Sequence, residues 1–433
     1  MKNITITILL LFSSLLNGQI IDSLPPAAKL NNGEKLYIHT DKSTYFVGEN
    51  IWLRGYLLNS SLESRQELSA FIYVELWRDS LIARVKIKDS EEGFTGHIKI
   101  TDNIKDGRYI LRAYTRWMQN FPAEYMFTKE IYVSTLSGVN SNFSIQMVSS
   151  SNFDIQFFPE SGRYFPGIPT KIAFKAVGSD GYSIELKGSL FKKDGTFICD
   201  IETKHNGMGV ITISSPDKEG YYVLVHPALG ESKRFDLPTP EASGAAISVK
   251  KTSTALLVSS SLVNLAIPNE LNKYYIVLSN SRNNYFVKEI DNVSLTDKFP
   301  LQSLPAGVNS VKIINGRGET LAERLFYISN ENTPEVRTVI NKPVFNSREL
   351  VTVMVSLSDN SGNPLRGNFS VSVTDSLFVK EDLARENIVS YMELCSEVRG
   401  KIENPGYYFI NPSPKKRDTS TYYYLLRDGD III

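Results

Sequence analysis

Apolar and polar residues alternate along most of this chain, in short runs separated by Gly, Asp, Asn and Ser. The stretch from Gly33 to Tyr56 sets the pattern: Leu36, Ile38, Tyr45, Val47, Ile51 and Leu53 alternate with polar neighbours, and Asp41 to Thr44 and Gly48 to Asn50 supply turn chemistry. A period of two puts every second side chain on one dry face. The prediction is the opening of a β-sandwich.

The same pattern continues through a first domain, 29–135. Phe71 to Trp77 turns at Arg78-Asp79-Ser80 into Leu81 to Ile87, followed by Gly93 to Ile100 and, after Asp106-Gly107, by Arg108 to Tyr114. Gly107-Arg108-Tyr109 has the form of a tyrosine corner, in which the ring packs at a bend and its hydroxyl satisfies backbone. A second domain, 150–237, closes on Gly220-Tyr221-Tyr222, which repeats that motif and argues for tandem domains of one type. Pro238 to Gly244 reads as a linker. A third domain spans 245–330, with Gly307-Val308 in the slot of the two Gly-x-Tyr copies and Asn315-Gly316 as a hairpin turn.

The last part, 335–433, reads as an incomplete fourth β domain with a helix. Leu350 to Leu357 and Gly367 to Asp375 alternate as strands, and Lys380 to Arg399 carries the one helical period, with Leu383, Ile388, Met392 and Cys395 near one face. The expected class is all-β: tandem immunoglobulin-like sandwiches with one short helix near the C-terminus.

Composition changes this picture in a few places. At 433 residues the chain calls for several cores. Lys+Arg and Asp+Glu are both 47, which removes any electrostatic case for nucleic acid. Met1 to Gly18 joins Lys2 to the apolar run Ile4 to Leu16, too short to span a bilayer, and is expected to be a cleaved signal peptide. No other run is long and apolar enough to span, so a mature chain without a transmembrane segment is expected in the periplasm, at the outer membrane or at the cell surface. Cys199 and Cys395 fall in different domains and are expected to be small apolar fillers, not a disulfide.

Several motifs together resemble a known group. Tyr45-Phe46-Val47-Gly48-Glu49-Asn50-Ile51 resembles the first strands of the macroglobulin-type domain of the alpha-2-macroglobulin superfamily, with Ser43-Thr44 where Pro is usual before the Tyr. Ala113 to Met118, Phe157-Phe158-Pro159-Glu160-Ser161-Gly162, His205 to Gly209, Glu323-Arg324-Leu325-Phe326, Asn368 to Asp375 and Glu403 to Phe409 follow in an order similar to that of exported Bacteroidetes multi-domain proteins. The resemblance implies macroglobulin-like sandwiches in a Gram-negative cell envelope, in some proteins linked to a TonB-dependent receptor. Those proteins continue into a Leu-rich stretch ending in Gly-Trp, where this chain reads Tyr424 to Ile433. The expectation is a truncated or frame-shifted product.

Candidate chemistry is sparse. Neither Cys lies in a Cys-Gly-Glu-Gln thioester, which excludes covalent protease trapping. His39, Asp41 and His97 admit a metal site by spacing, but a polar strand edge and a turn carboxylate explain them better. Cys199 with His205 lacks a third orienting group, and Glu160 reads as a turn carboxylate. Trp52 and Trp77 lie on alternating strands and are expected in the core. Trp117, with Phe121, leaves its strand for a loop and is the candidate surface binding site. No catalytic residue, metal or cofactor is expected.

Three functions remain open. A non-enzymatic envelope binding or scaffold protein would offer sheet edges and loops to a protein or polymer partner. A macroglobulin-like endopeptidase inhibitor without thioester would take proteases as partners. An N-terminal part of a TonB-linked uptake component would pair with a TonB-dependent receptor.

Overall fold

The computed structural model describes residues 33–59, 68–134, 152–179, 181–225, 232–269, 271–281, 284–329, 334–375, 384–398, 400 and 402–410. The expected signal peptide and the tail beyond 410 lie outside them. The described fold is all-β, as its alternation requires.

The first sandwich sets β1 (Glu34–Thr40), β3 (Asn50–Asn59) and β6 (Phe94–Lys99) against a second sheet. That sheet runs β2 (Thr44–Phe46), β8 (Phe127–Ser134), β7 (Gly107–Thr115), β4 (Phe71–Trp77), β5 (Leu81–Lys88). Leu36, Ile38, Ile51, Leu53, Ile72, Val74 and Leu111 fill the space between.

The second sandwich repeats the design with β9 (Phe153–Pro159), β10 (Thr170–Gly178) and β13 (Met208–Ile213) facing β11 (Lys187–Lys192), β12 (Phe197–Glu202), β14 (Tyr221–Val225) and β15 (Lys233–Asp236). The third uses β16 (Gly244–Lys251), β17 (Ala255–Val263) and β20 (Ser294–Pro300) against β18 (Tyr274–Ser279), β19 (Asn284–Glu289), β21 (Gly307–Asn315) and β22 (Thr320–Ile328). Leaving the short β2 aside, all three units share one topology. The first, second and fifth strands form one sheet, in that order; the fourth, third, sixth and seventh form the other.

The corner before the sixth strand also recurs. Gly107, Gly220 and Gly307 all have positive φ, which a side chain would strain. Just after each, a buried polar side chain reaches back four residues: Tyr109 Oη donates to Lys105 O at 2.7 Å, Tyr221 Oη accepts from Asp217 N at 2.7 Å, and Asn309 Nδ2 donates to Pro305 O at 2.9 Å. Asn309 thus replaces the tyrosine in the third unit.

Beyond Ile328 the pattern stops. β23 (Glu335–Ile340) and β24 (Val353–Ser358) form a two-stranded antiparallel sheet. Gly367 to Asp375, expected as a strand, joins no sheet among the described residues and is irregular. The expected helix is also shorter than its period: Lys380 to Leu383 and Arg399 lie outside the described residues, and the helical part is Ile388–Ser390 running into a π-turn at Tyr391–Cys395. Asn387 starts it, its Oδ1 accepting from Val389 N and Ser390 N while Ser390 Oγ accepts from Asn387 N. A further turn, Tyr407–Ile410, follows.

Candidate functional site

Two features stand out: a C-terminal segment that ties the sandwiches together, and a hairpin whose apolar side chains are largely exposed. The segment 384–410 touches all three units. Against the first, the Tyr391 ring lies 5.6 Å from Tyr37 and 5.1 Å from Phe127, and Met392 joins the core. Lys35 pairs with Glu397. Because Leu36 and Ile38 already face the core, these contacts bury the other side of β1 as well.

Glu397 Oε1 also accepts from Ser281 Oγ of the third unit at 3.0 Å, and Tyr327 Oη donates to Glu393 Oε2 at 2.6 Å. Leu394, Val398, Ile402 and Tyr408 share a cluster with Met208 of the second unit and Val308 and Tyr327 of the third. Further along, Lys175 Nζ lies 3.5 Å from Glu403, and His205 stacks on Tyr407 at 3.9 Å. The segment acts as a clasp.

Titratable groups gather where the clasp meets the first unit. Burial raises the Glu386 carboxyl to about 7, although Lys129 and a hydrogen bond with Cys395 pull the other way. Burial also pushes the Cys395 thiol and the Tyr391 hydroxyl up, with the Glu386 charge adding to both. Lys129, its ammonium donating to Thr40 Oγ1 at 2.8 Å, is lowered by burial, as is His39.

The second and third units meet at a separate buried contact. Arg324 Nε lies 3.5 Å from Glu160 Oε1, and Ser161 Oγ donates to Ile247 O at 2.8 Å. Two motifs that carry the resemblance therefore meet in space.

The hairpin is the opposite case. Its register pairs Val336 with Leu357, Thr338 with Val355 and Ile340 with Val353, so these six share one face. Apart from Thr338 that face is apolar, with Val336 at 57%, Ile340 at 53% and Val353 at 44% exposure and Val355 and Leu357 half-buried. The other face carries Glu335, Arg337, Ser356 and Ser358 together with Val339 and Met354, which are exposed as well. Phe369, Val371 and Val373 beyond it are also exposed.

The candidates from sequence fare differently. Trp117 is 45% exposed, and its ring, Phe121 and Tyr125 form a strip with centroids 6.1 and 5.8 Å apart, the first pair edge-to-face and the second tilted. Met118 anchors this strip in the core. Trp52, expected inside, is 54% exposed: with Ile51 and Leu53 buried, alternation sends it outward, where it packs on His97 at 4.9 Å. Trp77 is half-buried and donates to Glu75.

His39, Asp41 and His97 have separate partners. His39 Nδ1 meets Ser370 Oγ at 2.6 Å, and Asp41 Oδ1 accepts from Tyr45 Oη and Trp52 N. Among the described residues no group of three or more His, Cys, Asp or Glu is placed to hold a metal. Cys199 and Cys395 are free thiols. The linker Pro238 to Gly244 is pinned, Tyr164 Oη donating to Pro238 O at 2.8 Å and Arg163 pairing with Glu241 at 3.0 Å. Among the described residues no helix is long and apolar enough to cross a membrane. Sequence reasoning missed the clasp, although Glu403-Asn404-Pro405 and the 380–399 period both signalled the segment.

Comparison by sequence finds no matching family model and no matching curated protein. Among solved structures the chain is similar to Salmonella alpha-2-macroglobulin reacted with methylamine, at 10% identity and TM-score 0.20, covering 76% of this chain and 25% of that one. Escherichia coli alpha-2-macroglobulin activated by porcine elastase matches at 11% identity and TM-score 0.25, over 76% of this chain and 34% of that one. The BSP domain of a biofilm-associated protein matches at 9% identity and TM-score 0.22, over 71% and 68%. The chain thus spans about a quarter to a third of the length of the bacterial macroglobulins it matches.

Proposed function

We propose that this chain is a non-enzymatic binding or scaffold protein of the cell envelope, built of macroglobulin-like sandwiches that a C-terminal clasp holds together to present the 335–375 region to a protein partner. One observation carries the reading: on one face of the β23–β24 hairpin Val336, Ile340 and Val353 stand exposed beside the half-buried Val355 and Leu357. Apolar surface of that kind marks an interaction site. The Met1 to Gly18 segment supports export.

The test is co-sedimentation of the full chain with the envelope fraction of a Gram-negative cell, beside the Val355→Asp variant. Retention of the parent and release of the variant are expected. Equal retention of both would overturn the assignment to this face.

The strip of Trp117, Phe121 and Tyr125 favours a second reading, a glycan surface, because exposed rings stack on the apolar faces of sugars. Retention on an immobilised polysaccharide that Trp117→Ala abolishes would support it. No retention of the parent would end it.

A further inference from the structure

Ile72, Val74, Leu76 and Leu111 of the five-stranded sheet face the first core, so the residues between them face outward. On that outer face Phe71, Tyr73 and Glu75 of β4 lie opposite Lys88, Lys86 and Arg84 of β5. On the other side Tyr73 and Glu75 lie opposite Tyr114 and Arg112 of β7. The chain as a whole is balanced in charge, yet this face gathers cations.

The guanidiniums are already paired. Glu75, fully buried, accepts from Arg84 Nε at 2.7 Å and from Arg112 Nη2 at 2.6 Å. Lys86 and Lys88 differ: both are exposed, and among the described residues neither forms an ion pair with a carboxylate. Lys86 Nζ stands 4.1 Å from the Phe71 ring centroid and 5.8 Å from that of Tyr73. A ring takes one side of an ammonium that has three donors to give.

Flat rings border these ammoniums. Phe71 is 37% exposed, and Tyr73 stacks on Tyr114 at 5.5 Å. β7 ends at Thr115, and two residues on stands Trp117, the start of the strip with Phe121 and Tyr125. The second sandwich repeats the stack on its corresponding strands, Phe191 on Tyr222 at 5.4 Å. There the cation over the ring, Arg234, is paired with Asp236 at 3.0 Å. The stack belongs to the fold, and the unpaired lysines set the first unit apart from the second.

We propose that the outer face of the first sandwich binds an acidic polysaccharide, with sugar rings on Phe71 and the Trp117 strip and carboxylate or sulfate groups on Lys86 and Lys88. This rests on the glycan reading above and adds its chemical class. Charge complementarity selects the occupant. Duplex nucleic acid carries one charge per about 1.7 Å and calls for many cations. Two free ammoniums among rings fit a polymer whose charges are spaced between apolar sugar faces.

The probes are labelled oligosaccharides of alginate, polygalacturonate and chondroitin sulfate, titrated into the full chain beside a neutral β-glucan and single-stranded DNA of similar length. Saturable binding of an acidic probe is expected, about tenfold weaker with Lys86→Gln and Lys88→Gln together and weaker also with Phe71→Ala. Both lysines are exposed, so the double variant keeps its fold. No binding of any acidic probe, binding that the lysine variant leaves unchanged, or a neutral glucan bound as tightly would each overturn the proposal. Tighter binding of the DNA would assign a nucleic acid and overturn it too. Retention on a neutral polysaccharide that Trp117→Ala abolishes and the lysine variant spares would leave the glycan reading standing and remove the acidic class.

Discussion

Arg324 Nε sits 3.5 Å from Glu160 Oε1, with side-chain exposures of 1% and 4%, and joins the second sandwich to the third. Glu160 Oε1 also accepts from Val249 N at 3.3 Å, so the carboxylate is held from two strands of the third unit. A buried pair gains little over a well-packed apolar pair, but breaking it leaves one uncompensated charge. Glu160→Ala should cost about 3–5 kcal/mol, and joint replacement by Met at Glu160 and Arg324 much less. Denaturant unfolding of both variants checks this; equal losses would show that the charge is not what matters.

The clasp depends on apolar burial. Leu394 is fully buried among residues of the second and third units. Leu394→Ala should cost about 2–5 kcal/mol of docking. Hydrogen exchange should then rise at Tyr391 to Cys395 before the sandwich strands open, and simultaneous opening of all would argue against a separate clasp.

Glu386 gives the docking a pH dependence. Its carboxyl is raised from an ordinary 4.5 to about 7 by burial. The docked state then binds the extra proton between those values, so docking weakens as pH rises from about 4.5 to about 7 and stays weak above. Lys129, Arg385, Tyr37, Tyr391 and Cys395 share this electrostatic environment. Glu386→Gln should flatten the profile, read by exchange at the clasp amides across that range. An unchanged slope would assign it to another group.

Glu75 has the opposite sign. Burial alone would raise its carboxyl, but hydrogen bonds from Trp77, Arg112, Tyr114 and Arg84 outweigh that and hold it at about 2. Its contribution to the first sandwich is present above about 4.5 and is lost as pH falls through about 2. Acid unfolding of Glu75→Gln should show a shallower fall over that range than the parent.

Trp117 and Met118 separate surface from support. Met118 is 2% exposed, whereas Trp117 is open. Met118→Ala should destabilise by about 2–5 kcal/mol, and Trp117→Ala by about 0.5 kcal/mol or less. A large loss at Trp117 would show that the ring is structural.

The all-β class and the corners were legible because each is a local statement. Alternation says which side of a strand is dry, and Gly107, Gly220 and Gly307 mark bends whose chemistry lies within four residues. Trp52, expected in the core, is outward, and the alternation of the buried Ile51 and Leu53 on either side of it is the signal that the expectation overlooked. What alternation cannot report is what covers a dry face. Glu160 finds Arg324 across 164 residues, and Tyr391 closes over Tyr37 from the far end of the chain. Val355 and Leu357 alternate as Leu36 and Ile38 do, yet only the latter pair meets a facing sheet. The sequence by itself determined the strands of the three sandwiches and most of their dry sides. Only the tertiary structure decided which were buried, because burial depends on chain segments brought together in space, and periodicity carries no record of them.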